Sequence, residues 1–440
     1  MMRIAIWGYG KYGRRMFESL TRFCSEEYEV VRVYDIAYRE LKNTEGDLAL
    51  PIHNPEVLPE DYKKGLFKKV LLCFTWYEVL IEPREFLKKH SIPELHLGSE
   101  DDFCPASCFE QGEKPFEIQQ EGYGFYVLKN LYGAMANFES NELLYLFNSE
   151  GKVLQEHWGH WYARFNQHVY DYPFILKNNK TERIFFKGQY CILTKQAASN
   201  YWHFTYQCLD VVWLLEKAGY QGYYIVPNRN YCKELLHMLG VIQERIIPLS
   251  MFEHNKIYVF EEAFCVSFSA ENEKYGTSVL LQLAEEIKKK LPVDKSLPKK
   301  IYVKRIGKRK LLGADELLAE NGFTTVIPED YSVQEQMTLF FNADIVFCVH
   351  GANSTNCLYM RKNTVFIETF SHQWMDEWNL YTLAAGKIHY LPISPLETVW
   401  FNDGGITKDY TIPDVLLQMV IQNAFLIDQA KHGPLSTKSS

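Results

Sequence analysis

Short apolar runs alternate with amphipathic stretches along most of the chain, and the alternation comes in three sets. In the first, RIAIWG (3–8) reads as a buried strand and RRMFESLTRF as a helix. VVRVYDI (30–36), KVLLCFTW (69–76) and ELHLG (94–98) follow as strands, with EPREFLKKH as a second helix. Strands separated by helices predict a parallel sheet. Between Asp101 and Gly124 the pattern dissolves into Pro, Gly and charged residues, which marks a boundary near residue 110. The second set is rich in aromatics. FYVLKN, ELLYLFN and RIFFKGQYCIL predict strands of a mixed region, and WHFTYQCLDVVWLLEKAG predicts one helix ending at Gly219. GYYIVP and NYCKELLHMLGV restart the alternation. TSVLLQLAEEIKKKL reads as a long helix stopped by Pro292, and PVDKSLPKK as a polar linker. The third set runs KIYVKR, ADELLAENG, TTVIP, SVQEQMTLFFNA, DIVFCV, TVFIE and KIHYLPI. A last helix, PDVLLQMVIQNAFLIDQA, is apolar around much of its circumference and is expected to be wedged between other elements.

The fold class is therefore α/β, with segments 1–110, 111–295 and 296–440. A length of 440 residues fits two or three domains. A formal charge of −8 argues against nucleic acid or an anionic membrane as the partner. The ten cysteines include no C-x-x-C pair, so a reduced, cytoplasmic chain is the simplest expectation. No signal peptide or membrane-spanning run is expected, which leaves at most peripheral membrane association. Self-association stays open.

The chemistry concentrates in NADIVFCVHGANSTNCLYM (342–360). A fully apolar strand gives way to small hydrogen-bonding residues, with a helix expected to begin near Asn356. At the carboxyl end of a parallel strand such a turn suits an anion, because free N–H groups and a helix dipole face it. Taken alone the stretch reads more readily as a capped structural turn. Upstream come Arg305, the basic Lys308-Arg309-Lys310, Glu335-Gln336 opening a helix, and Asn342-Ala343-Asp344; downstream comes Phe366-Ile367-Glu368.

That ordered set resembles glycosyltransferase family 61, which includes bacterial capsular-polysaccharide, plant xylan and animal protein O-glycan transferases. The resemblance covers roughly 200–380 and is strongest over 301–368. Asn200-Tyr201-Trp202-His203, with Asp210 further along, matches the family's upstream signature. The chain departs at Ala314-Asp315-Glu316, where the family usually has an Asn-Glu pair.

The resemblance implies a GT-B architecture, a pair of Rossmann-like lobes, to which the first set adds an N-terminal Rossmann-like domain. A nucleotide-sugar donor would sit in the C-terminal lobe and a glycan acceptor in the cleft. It also implies inverting transfer without a metal. The sequence agrees in having no Asp-x-Asp to hold one. Donor contacts are expected from Arg305, Arg309, Gln336, His350, Gly351, Ala352, Asn353, Asn356 and Glu368, the last on the ribose. His203 and Asp210 are the catalytic candidates. They stand seven apart, which places them on one face of an unbroken helix. Each also has a structural reading: His203 as a buried helix-start residue, Asp210 as its orienting partner, Glu368 as a cap or ion pair. Trp158 and Trp161, within HWGHWYARF, read as acceptor stacking or as core.

Gly8, Gly10 and Gly13 stand in G-x-G-x-x-G register after a strand, and Asp35 ends the next strand. That is the dinucleotide fingerprint in its proper context. NAD or another nucleotide is a candidate ligand, yet no dehydrogenase-like substrate domain follows. The segment is expected to be dispensable for transfer. Two other classes stay open: an NAD-dependent oxidoreductase acting on a sugar, and a non-catalytic assembly protein.

Overall fold

A computed structural model describes residues 1–23, 25–41, 50–74, 77–96, 103–118, 120, 122–138, 141–157, 181–195, 197–253, 256–268, 278–371, 379–395 and 409–431. The apolar runs of the first set become β1 (Met2–Trp7), β2 (Tyr28–Tyr34), β3 (Ile52–His53) and β4 (Lys69–Leu72). They pair in parallel in the order β3-β2-β1-β4. Of the predicted strand at 94–98, residues 94–96 are described and carry a single bridge, between Val70 and Glu94; residues 97 and 98 lie outside the described residues.

The aromatic-rich region forms one mixed sheet rather than separate pieces. Its strands are β5 (Phe103–Cys104), β6 (Tyr123–Phe138), β7 (Asn141–Phe147), β8 (Val153–Leu154), β9 (Arg183–Ile192), β10 (Tyr223–Val226), β11 (Ile246–Pro248) and β12 (Ile257–Phe268). They lie in the order β11-β10-β9-β12-β6-β7-β8-β5. The parallel part (β11, β10, β9, β12) meets the antiparallel part where the long β6 pairs with β12.

The third set forms β13 (Lys300–Val303), β14 (Thr324–Val326), β15 (Ile345–Val349), β16 (Val365–Thr369) and β17 (His389–Ile393), all parallel, in the order β14-β13-β15-β16-β17. Every residue of β15 and β16 is buried, as expected of a sheet covered on both faces. One face carries Tyr302, Phe347, Val349, Val365 and Ile367 against Leu417, Val420, Ile421 and Ala424 of the last helix, Asp414–Ala430. The other carries Ile301, Val303, Val346, Cys348 and Phe366 against Leu339, Phe340 and Leu383.

Two expectations about helices are corrected. The last helix is not wedged: Val415 (74%), Met419 (57%) and Leu426 (63%) are exposed on it. The helix predicted to run to Gly219 is interrupted at Cys208, whose φ of −129° leaves the helical region, giving Tyr201–Gln207 and Leu209–Lys217.

The chain divides into two compact units. One comprises Met1–Ser199, Ala218–Arg229 and Ile242–Phe268, and so holds the first two sheets. The other comprises Asn200–Lys217, Asn230–Val241 and Ser269–Ser440. The helices carrying His203 and Asp210 thus belong with the five-stranded sheet, although the sequence assigned them to the preceding segment. Within this second unit the linker is tied down by Asn342, which is 1% exposed. Its amide donates to the Pro292 carbonyl at 2.9 Å and its oxygen accepts from the Asp294 amide at 2.9 Å.

Trp158 and Trp161 lie outside the described residues. The first residue of their motif, His157, is described and is 3% exposed. Burial, and next the charge of Lys195, push its imidazole down to about 3. Its Nε2 lies 3.4 Å from Thr194 Oγ1. The unfolded chain takes up a proton near pH 6.5 that the native histidine refuses, so stability falls as pH drops from about 6.5 toward about 3. The full loss is on the order of 5 kcal/mol. His157→Gln should therefore flatten the decline in urea-unfolding free energy between pH 7 and pH 4. Equal slopes for the two proteins would exclude His157 as its source.

Candidate active site

The order β14-β13-β15-β16-β17 reverses direction between β13 and β15, because the chain moves one way from β13 to β14 and the other way thereafter. In such a sheet the crevice outside the carboxyl ends of those two strands is where ligands bind. Arg305 lies just beyond β13 and His350 just beyond β15. Side chains alternate along a strand, so Ile301, Val303 and Arg305 share one face with Val346, Cys348 and His350. Glu368 joins them, since it is the register partner of Cys348.

Contacts follow from this placement. Arg305 Nη1 donates to the His350 carbonyl at 3.1 Å. The guanidinium lies over Gly351, where a Cβ would overlap Nη1 and come within 3.0 Å of Cζ. Gly351 also has φ of +153°, a region that side-chain-bearing residues rarely adopt. Arg305 is half-buried, and burial lowers its pKa from the usual arginine value. Among the described residues it forms no ion pair with a carboxylate. Tyr410 feels both Arg305 and Arg309, and its hydroxyl meets Thr369 Oγ1 at 2.7 Å. Arg309 takes a left-handed φ of +66°, in a basic loop anchored by Asp409 through the Lys310 amide at 2.9 Å and Lys310 Nζ at 3.3 Å.

His350 Nδ1 lies 2.8 Å from Glu368 Oε1, and Phe370 stacks on its ring with centroids 4.7 Å apart. Glu368 is wholly buried. Tyr390 donates to its Oε2 at 3.0 Å, and Asn379 Nδ2 lies 3.4 Å from Oε1. The expected ribose contact does not fit a carboxylate turned inward in this way. Asn379 also donates to Ser354 Oγ at 2.8 Å.

The helix expected near Asn356 begins earlier and is a tighter 3₁₀ helix, Ala352–Tyr359, with Gly351 at its head. Ala352 and Asn353 remain half-buried, while Ser354, Thr355 and Asn356 are buried. Asn356 accepts from the Tyr201 hydroxyl at 2.8 Å and donates to Gln336 Oε1 at 3.1 Å. Gln336 in turn donates to the carbonyls of Pro328 (2.9 Å) and Tyr331 (3.1 Å). Both amides are therefore engaged inside the fold, and no donor contact from them is evident.

The helix Tyr201–Gln207 is buried along its whole length, capped by Asn200, whose side chain accepts from the Trp202 amide at 2.9 Å. Tyr206 reaches Thr382 Oγ1 at 2.8 Å. His203 is 7% exposed, with Nδ1 3.1 Å from Gln207 Oε1. Asp210 is 0% exposed and accepts from the Val211 amide at 2.8 Å. Their expected common face presupposed an unbroken helix, and the interruption at Cys208 removes that basis.

With this geometry in place, comparison with known proteins becomes informative. Residues 201–367 match the family model Glycosyltransferase 61. No curated protein matches the chain. The family 61 stretch begins at the buried helix of Tyr201 and ends at Ile367, taking in His203, Asp210, Arg305, Arg309, Gln336, His350–Asn353 and Asn356. It supports a transferase of the glycosyltransferase kind, which acts on a sugar donor and a glycan acceptor.

Sequence reasoning missed Tyr390, Asn379 and Phe370 around His350, and Tyr201 beneath Asn356. Tyr201 stood inside a recognised motif and was the one within reach. The others come from separate elements and carry no local pattern.

In the N-terminal sheet the three glycines fill their expected places. Gly8 has φ of +99° with the Cys73 carbonyl 2.7 Å from where a Cβ would stand. Gly13 packs directly on the Gly8 carbonyl, and Gly10 faces open space. Asp35 accepts from the amides of Tyr9 (2.5 Å) and Ala37 (2.8 Å), one on each carboxylate oxygen.

The seat of Arg305 gives a test. Gly351→Ala should weaken pyrophosphate binding as much as Arg305→Ala does, because both remove the guanidinium from its place. Each should cost about 2 kcal/mol, as expected for a charge-assisted hydrogen bond. Isothermal titration measures this. Undiminished affinity in Gly351→Ala would show that the close approach is not required.

Proposed function

We propose that this chain is an inverting, metal-independent glycosyltransferase of the cytoplasm. It would move a sugar from a nucleotide-sugar donor to a hydroxyl of a glycan acceptor in the building of a capsular or other surface polysaccharide. The observation that carries this reading is Arg305, a half-buried guanidinium with no carboxylate partner among the described residues, at the switch point of a parallel sheet. Withdrawing a cation from water without pairing it is costly, and an arriving anion relieves that cost. A diphosphate matches the guanidinium fork in both charge and shape.

In the proposed step the bond between the anomeric carbon and the diphosphate oxygen breaks, and its electron pair stays on that oxygen. The acceptor oxygen bonds to the same carbon from the opposite side, and its proton passes to a base. Arg305, Arg309, His350 and the backbone at Ala352 and Asn353 would meet the developing charge, a role that Asp-x-Asp and a metal fill elsewhere. For the base we favour His203 over Asp210. His203 keeps some exposed surface, and a ring that donates from Nδ1 to Gln207 Oε1 would have Nε2 as its accepting nitrogen.

The unit of the five-stranded sheet would be the donor lobe of a GT-B pair, with the eight-stranded sheet supplying the acceptor side and residues 1–110 an accessory Rossmann-like domain. The glycines of that domain fit a pyrophosphate of NAD or another nucleotide, whereas Asp35 already holds two backbone amides. No step of transfer runs through it.

Titration with UDP, GDP and CMP in EDTA should find a nucleotide that binds; binding that appears only with Mn²⁺ would overturn metal independence. Arg305→Ala and His350→Ala should each slow transfer roughly 30- to 1,000-fold, or about 2–4 kcal/mol of barrier, with the fold intact. Near-normal turnover in both would remove the phosphate site from this crevice.

A further inference from the structure

Glu368 has no assigned role that its surroundings allow. It is a carboxylate with 0% exposure on a strand whose other residues are all buried. Burying an ionised carboxylate is unfavourable unless donors surround it. Here they come from three separate places: His350 Nδ1 at 2.8 Å, the Tyr390 hydroxyl at 3.0 Å and Asn379 Nδ2 at 3.4 Å. Phe370, two residues along the same strand direction, lies against the His350 ring at an interplanar angle of 27°.

An ionised carboxylate only accepts hydrogen bonds, so the ring nitrogen facing it must carry a proton. A glutamine in its place could turn either its oxygen or its NH₂ toward the ring, and would leave the tautomer unspecified. We propose that Glu368 is a positioning residue: it fixes the His350 ring with Nδ1–H turned into the protein, so that on the protonated ring Nε2–H is the donor directed away from the carboxylate. Tyr390 and Asn379 hold the carboxylate, and Phe370 holds the plane of the ring. A histidine whose second nitrogen is pinned by a carboxylate is oriented in the same way that such partners orient metal-bound or catalytic imidazoles. The use of Nε2 on a diphosphate rests on the function proposed above; the orientation itself does not.

The test uses the full chain labelled with ¹⁵N-histidine, with the His350 ring identified by the signals lost in His350→Gln. Long-range ¹H–¹⁵N correlation at pH 9 should show the ring proton on Nδ1. A proton on Nε2 in the unmodified protein would overturn the proposal without need of any variant. Glu368→Gln should redistribute the tautomers, and a ring left unchanged by it would equally overturn the proposal. If that variant does not fold, Tyr390→Phe should shift the Nδ1 proton resonance by freeing one carboxylate oxygen, and no shift would count against the network. In parallel, Glu368→Gln should weaken inorganic pyrophosphate binding about tenfold, as His350→Gln does. Loss of the tautomer without any effect on pyrophosphate in either variant would leave Glu368 in its positioning role and remove the diphosphate from the crevice.

Discussion

The C-terminal unit is organised around a guanidinium pressed onto a glycine. Arg305 can lie where it does only because residue 351 has no Cβ, and it is held there by a peptide carbonyl rather than by an acid. Among the described residues no acid forms an ion pair with this half-buried cation. Its neighbours answer to the same constraint: β13 and β15 bring Arg305 and His350 to one edge, and the 3₁₀ turn follows directly on Gly351. The electrostatics of the crevice are thus set by the backbone before any ligand arrives, which is the condition under which a positive site lowers a barrier most.

A buried polar framework lies behind that edge. Tyr201, Asn356 and Gln336 form one hydrogen-bonded line, and Ser354, Asn379, Glu368 and Tyr390 form another. These residues join the helix Tyr201–Gln207, the 3₁₀ segment and the sheet through directional bonds rather than through apolar contact alone. A family match running from Tyr201 to residue 367 takes in the first line and Ser354, and ends before Glu368, Asn379 and Tyr390. Within it the upstream motif and the strand-end motif are joined by the Tyr201–Asn356 bond.

Much of this architecture was legible in the sequence. The apolar runs of the third set marked β13, β15 and β16 because strands buried on both faces have no polar alternation to blur them. Arg305, His350, Gly351 and Glu368 could be picked out, and all four meet. What could not be read depended on partners distant along the chain. Nothing local tells that Tyr390 and Asn379 will close over Glu368 and turn a presumed ribose ligand inward. The interruption at Cys208 falls in an apolar stretch with no Pro or Gly to announce it. The last helix was misjudged because Val415, Met419 and Leu426 look like core residues, and composition cannot tell which side of an apolar helix will face the sheet.

The alternation of β16 has one more consequence. Glu368 lies between Ile367 and Thr369, and Ile367 points into the layer filled by Phe347 and the last helix. Were β16 to pair one residue out of step with β15, the carboxylate would enter that oily layer and Ile367 would face His350. In a strand apolar on both faces, a one-residue slip turns one apolar side chain into the place of another. Here the slip would strand a charge. The same glutamate that orients an imidazole therefore marks the correct alignment of the sheet, so that a chain folded in the wrong frame is discarded by its own chemistry.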